Sequence, residues 1–203
     1  GIVEFYGKDC IESEFRAKQI SKEIGSTYIS PYNDPEIITG QGTIGIELDN
    51  QLNNIDEVFV SVGGGGLISG IGGYLNQVQP EAKIVACSPK NSCVMYESLN
   101  AGRILDLPSK QTLSDGTAGG VEEGSITYDI CKKVIDDFVL VTEREISLGI
   151  KKAINDDHQL IEGSAGTAIA AFIKRKKILT GKRVVIIICG GNINTATLKK
   201  VIS

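Results

Sequence analysis

Apolar and polar positions follow two rhythms along the chain, and each predicts a kind of element. Residues 57–62 and 183–189 are near-continuous apolar runs, the pattern of parallel strands buried on both faces, and the second run is expected to be a central strand. Shorter β-rich runs at 2–6, 83–87 and 138–141 read as further strands. Between them the spacing is helical. Ile11, Phe15, Ile20 and Ile24, separated by charges, predict an amphipathic helix. Asp34 and Pro35 supply an N-cap and a first-turn proline for a helix over 35–52. Helices are also expected from the glycine-rich turn to about Val78 and over 91–101, 126–135, 163–177 and 192–202. Thr142 with Glu145 three residues on is a capping box opening one more. The 102–124 stretch is long, polar and glycine-rich, and such a loop in a compact domain usually has a function.

This alternation predicts an α/β fold, a parallel three-layer sheet with helices on both faces joined by right-handed crossovers. The first 30 residues form a strand–helix–strand piece that fits the tail of a smaller domain, leaving 31–203 as the large domain.

Composition sharpens the picture in a few places. Glycine is 24 of 203 residues, roughly 12% against a typical ~7%, while tryptophan is absent. The longest apolar run, 184–189, is far short of the ~20 residues that a membrane helix needs, and no signal peptide is visible. A net charge of −4 has the wrong sign for a nucleic-acid footprint, and the basic run at 174–177 reads as the solvated end of a helix. The five cysteines (Cys10, Cys87, Cys93, Cys131, Cys189) are odd in number and contain no CxxC, which fits reduced thiols in the cytoplasm. His158 is the only histidine and has no cysteine nearby, so it is expected at the surface, with no metal site and no Ser-His-Asp arrangement. A chain that begins at Gly1 and has the single methionine Met95 fits a processed chain or a fragment.

Four segments carry candidate chemistry. Gly63, Gly64, Gly65, Gly66 and Leu67 follow the first buried strand and open a helix. Without Cβ atoms the backbone N–H groups can close around an anion, and the helix dipole adds attraction, so phosphate is the natural occupant. No Lys-Ser/Thr follows, and no acidic residue ends the next strand, which excludes a Walker A loop and the dinucleotide fingerprint. Cys189, Gly190, Gly191 and Asn192 form a second strand-end glycine turn, where the cysteine is either packing or chemistry. The third segment runs from Ser114, Asp115 and Gly116 to Gly120 and suits backbone approach. In the fourth, Glu162 stands between apolar residues at a helix start, as a simple cap or a site carboxylate.

Taken in this order, and with Gly40-Gln41-Gly42-Thr43 ahead of the tetraglycine run, these segments resemble the fold-type-II pyridoxal-phosphate enzymes, specifically the threonine/serine dehydratase and serine racemase family. The resemblance runs from Gly1 to Ser203 and implies an incomplete tryptophan-synthase-β-like fold. It further implies that Gly63 to Gly66 and the Leu67 amide hold the cofactor phosphate. Cys189 matches the neutral partner of the pyridine nitrogen, Asp115 and Gly116 pass the cofactor face, Glu162 lies near the ring, and Asn192 follows the pyridine partner. The family's cation-site positions fall on Ser88 and Val94, so that site is expected to be absent or altered.

The family's Schiff-base lysine precedes the point where this chain begins. Lys8, Lys18, Lys22 and Lys83 sit in polar or helix-face patterns, Lys132–Lys133, Lys151–Lys152 and the 174–177 run are paired or clustered, and Lys199–Lys200 is near the terminus, unlike the desolvated setting such a residue needs. The expectation is therefore the C-terminal part of a dehydratase (ammonia-lyase) that converts a β-hydroxy amino acid to a 2-oxo acid and ammonia, works as a homodimer when intact, and is inactive as this chain alone. The alternatives are a serine racemase, a dehydratase of an unusual β-hydroxy amino acid, or a non-catalytic scaffold module without the lysine.

Overall fold

The computed structural model describes residues 3–7 and 9–203. Four parallel strands form its sheet: β1 (Glu57–Ser61), β2 (Lys83–Pro89), β3 (Asp137–Val141) and β4 (Val184–Ile186), in the order β3-β2-β1-β4. Val58 pairs with Ile84 and Phe59 with both Val85 and Ile186. The continuous apolar run of β1 has a direct cause. Val58 and Val60 join one buried cluster with Ile84 and Ala86, while Phe59 joins a second with Val85 and Cys87. Alternate residues thus serve two cores, one on each face.

Helices cover both faces. On the first lie α3 (Gly66–Val78), with α2 (Pro35–Gln51) and α5 (Ile126–Val134) packed against it. On the second, α7 (Gly163–Arg175) crosses β1, β2 and β3 and is backed by α6 (Glu143–Asp157). Phe172 of α7 meets Phe59 edge-to-face at 6.1 Å. The remaining helices are α1 (Cys10–Ile24), α4 (Val94–Ala101) and α8 (Thr195–Ile202).

The predicted caps are present. Asp34 accepts from the Glu36 amide at 2.8 Å at the start of α2. Thr142 and Glu145 form the reciprocal box of α6. Burial opposes it, but hydrogen bonds from the Thr142 amide and hydroxyl and the Lys174 ammonium hold the Glu145 carboxyl below its ordinary value. His158 is exposed in a left-handed conformation at the end of α6.

Several expectations need correction. The 183–189 run is not a central strand: β4 has three residues and lies at the sheet edge, with Ile188 exposed. An apolar run reports burial, and β4 packs into both cores while pairing with β1 along one edge only. Residues 3–6 form no strand and Phe5 is exposed; among the described residues no strand of the sheet pairs with them, and Ile2 is outside the described residues. The helix with Ile11, Phe15, Ile20 and Ile24 exists as α1, but Phe15 and Ile24 face outward. Helix α4 begins three residues late, because Asn91 and Ser92 are drawn to Gln111 and Ser109. Helix α8 begins at Thr195, capped by Asn194. The 174–177 run is only partly solvated. Arg175 reaches the buried carboxylate of Glu57 at 3.4 Å and Asp137 at 2.6 Å, leaving Lys176 and Lys177 to solvent.

Candidate functional site

Strand β1 delivers the chain to Gly63 at the carboxyl edge of the sheet, where ligands of open α/β folds bind. The glycine loop that follows has its carbonyl groups drawn into the protein. The Val62 carbonyl accepts from the Ser88 hydroxyl at 2.9 Å, the Gly64 carbonyl from Thr127 at 2.6 Å, and the Gly65 carbonyl from the Ser69 amide at 3.0 Å. Among the described residues no acceptor faces the amides of Gly63, Gly64 and Gly65. Those of Gly66 and Leu67 belong to the first turn of α3, which has no intrahelical partners. Gly65 adopts φ +89° as the N-cap of α3, a left-handed conformation that only glycine takes cheaply.

These amides border a cavity of about 310 Å³, at the lower end of the range for small-molecule sites. Gly63 to Leu67, Gly116, Glu162 and Cys189 all line it. Cys189 reaches it because β4 lies beside β1. Burial pushes the Cys189 thiol up, partly offset by a hydrogen bond with Ser61, so it is a neutral thiol near pH 7. Glu162 occupies the N-cap position of α7 yet makes no side-chain cap; its carboxylate accepts from the Asn192 amide at 2.9 Å. Two expected residues stand outside this lining. Asn192 meets the site only through Glu162, and Asp115 lines a larger neighbouring cleft of about 770 Å³ while accepting from the Gly116 amide at 3.0 Å. Ser88 is fully buried with its hydroxyl donated to Val62, and Val94 is buried in the apolar core.

Other lining residues escaped sequence reasoning. Ser164, 3% exposed, lines it with a buried hydroxyl that has no hydrogen-bond partner among the described residues. Ser61 ends β1 and donates to the Ser164 carbonyl at 2.6 Å. Tyr32 and Glu14 close the side formed by α1 and the segment before α2. The available signals were adjacency alone: Ser61 precedes the glycine run, and Ser164 follows Glu162 by two residues.

The cavity fits a phosphate carried on a flat aromatic group. Free amides at a helix N-terminus suit the phosphate, and the orphan Ser164 hydroxyl and neutral Cys189 thiol suit ring heteroatoms. Among the described residues no lysine or arginine lines it, so any phosphate there is held by backbone and helix dipole.

Residues 2–190 match the family model described as pyridoxal-phosphate dependent enzyme. The chain belongs to that family. Within it, the relatives and structural neighbours include threonine dehydratases and serine racemases of the fold-type-II group. The biosynthetic L-threonine dehydratase of Halalkalibacterium halodurans is 36% identical over 94% of this chain and 48% of its own. The L-threonine ammonia-lyase of Thermotoga maritima is 36% identical over 92% of this chain and 46% of its own. The chain thus spans about half the length of these two pyridoxal-phosphate enzyme relatives. Among solved structures, the processed form of threonine deaminase isoform 2 from Solanum lycopersicum superposes with a TM-score of 0.88 at 35% identity, covering 97% of this chain and 57% of that one. Maize serine racemase gives a TM-score of 0.84 at 30% identity, covering 96% of this chain and 61% of that one.

Proposed function

We propose that this chain supplies the phosphate- and ring-binding walls of a pyridoxal-phosphate-dependent ammonia-lyase acting on a β-hydroxy amino acid of the threonine or serine class. The observation that carries the reading is the cavity itself, in which the glycine-loop amides, Cys189 and Glu162 share one lining. When bound, pyridoxal phosphate supplies an electron sink that labilises the Cα proton and the β-substituent of an amino acid.

This chain's residues hold and orient that group. The amides of Gly63 to Leu67 receive the phosphate, and the α3 dipole offsets its charge. Cys189 would meet the ring nitrogen of that group, and a buried, neutral thiol would offer it no charged partner. Glu162, fixed by the Asn192 amide, would stand beside the ring, and Gly116, bare of a Cβ, makes room for the Ser164 hydroxyl and the Glu162 carboxylate. Asp115 and Asn192 take supporting positions at the rim. Residues 1–30 are assigned to the tail of a smaller domain, consistent with the outward apolar faces of Phe15 and Ile24 on α1.

The lysine that carries the cofactor and moves the Cα proton is assigned to a segment outside this chain, since no lysine lines the cavity among the described residues. Borohydride reduction followed by peptide mapping tests this. The 203-residue chain mixed with pyridoxal phosphate is expected to give no adduct at a unique lysine, whereas the full-length protein gives one. A single specific adduct on this chain overturns the assignment.

A further inference from the structure

The tetraglycine loop is shaped from outside by one side chain that the cofactor-binding reading does not use. A Cβ built on Gly64 falls within 2.5 Å of Tyr32 Cδ1, and one on Gly66 within 3.0 Å of Tyr32 Cα and Cβ. The Tyr32 ring therefore fills the space that a Gly64 side chain would take, and the Tyr32 backbone and Cβ border the space of a Gly66 side chain. Gly64 and Gly66 are glycines because Tyr32 is there. At 8% exposure the ring is buried, and it lines the same cavity as the loop.

The hydroxyl of Tyr32 is held at two points. It accepts from the Glu122 amide at 2.8 Å and donates to the Glu14 carboxylate at 3.3 Å. Burial, followed by the Glu14 charge, pushes its pKa well up, so it stays a donor. Its sequence neighbour acts on the opposite side of the same loop. Asn33 accepts from the Ile126 amide at 2.9 Å at the start of α5, and donates to the Glu122 carboxylate at 2.7 Å, which also pairs with Lys18 of α1. Helix α5 carries Thr127, whose hydroxyl grips the Gly64 carbonyl at 2.6 Å. Gly64 is thus clamped between an aromatic ring on its Cα and a hydroxyl on its carbonyl. Both are placed by the short segment just before α2. Fixing a peptide at those two points fixes the direction of the amide that follows, here that of Gly65.

We propose that Tyr32 is a positioning residue for the phosphate subsite: its ring, anchored through Glu122 and Glu14, sets the orientation of the glycine-loop amides and so the preference for a phosphorylated over an unphosphorylated cofactor. The proposal rests on the assignment of phosphate to this loop. A merely structural side chain, by contrast, would affect both ligands alike.

The test compares the affinities of the full-length apoprotein for pyridoxal phosphate and for pyridoxal. Unsubstituted protein is expected to favour the phosphorylated form by about a hundredfold or more, given several charge-assisted hydrogen bonds. Tyr32→Leu is expected to cut that ratio at least about tenfold, chiefly by weakening pyridoxal phosphate, while Tyr32→Phe, which keeps the ring but loses the anchors to Glu122 and Glu14, is expected to fall between Tyr32→Leu and the unsubstituted protein. Gly66→Ala, which keeps its amide but presses on Tyr32, is expected to lower the ratio in the same direction and serves if Tyr32→Leu fails to fold by circular dichroism. A ratio near one in the unsubstituted protein overturns the phosphate assignment itself. A normal ratio there, retained in Tyr32→Leu and Gly66→Ala or lost only through equal weakening of both ligands, overturns the role of Tyr32.

Discussion

Gly64→Asp in the full-length protein is expected to weaken pyridoxal phosphate binding by at least about a hundredfold. Two effects act together. The new Cβ lands in the ring of Tyr32, so the loop or the ring must move. The new carboxylate then stands beside amides that lack protein acceptors, where it competes for their N–H groups and repels the phosphate. Two like charges about 4 Å apart near a protein surface repel by about 4 kcal/mol, and each charge-assisted hydrogen bond lost is worth about 1.5–3 kcal/mol. The repulsion alone, or the loss of two such hydrogen bonds, suffices for the expected loss. Gly64→Ala retains only the steric part and is expected to fall between the two. Titration of apoprotein, followed by cofactor absorbance, reads the effect. Normal occupancy in Gly64→Asp would sink the assignment of this loop to the phosphate.

Gly163→Ala is expected to be the most damaging single-methyl insertion in the chain. A Cβ at Gly163 overlaps the Leu113 carbonyl and lies 2.8 Å from the Ser114 amide nitrogen. The 113 segment cannot retreat freely, because the Leu113 amide donates to Glu143 at 2.6 Å and Ser114 is fully buried against Thr117. Overpacking of this kind costs about 3 kcal/mol, which in a chain of this size lowers the melting temperature by roughly 6–12 °C. The displacement also reaches the site. Ser114 holds Thr117 at 2.6 Å, and the Thr117 carbonyl lies 2.8 Å from where a Gly63 Cβ would be. Gly73→Ala, with open space around it on α3, is the control and is expected to leave stability unchanged or slightly raised. Calorimetry on the pair checks both. Equal melting temperatures would show that α7 and the 113 segment are not locked together.

The parts of the fold that were legible in sequence are those where local chemistry and burial agree. The 57–62 run could only be a strand serving two cores, and Thr142 with Glu145 marked the start of α6 to the residue. Where neighbours decide, sequence was silent. Nothing local distinguishes the edge strand β4 from a central one, and residues 3–6 have strand character without a strand to pair with. The same division holds at the cavity. Gly63 to Leu67, Gly116, Glu162 and Cys189 were legible because each sits at a strand end, glycine turn or helix start. Ser164, Tyr32 and Glu14 were not, since their roles depend on which segments fold against the glycine loop. The glycines themselves carried more than one message: Gly63 is needed by Thr117, Gly64 and Gly66 by Tyr32, and Gly65 by Cys131 and its own backbone.

The most direct measurement is a crystal structure of the full-length protein with pyridoxal phosphate bound. The expected result places phosphate oxygens at about 3 Å from the amides of Gly63 to Leu67, with the pyridine nitrogen facing the Cys189 thiol. A phosphate seated instead in the 770 Å³ cleft beside Lys110, Arg144 and Lys200, with the glycine-loop amides left free, would contradict the assignment.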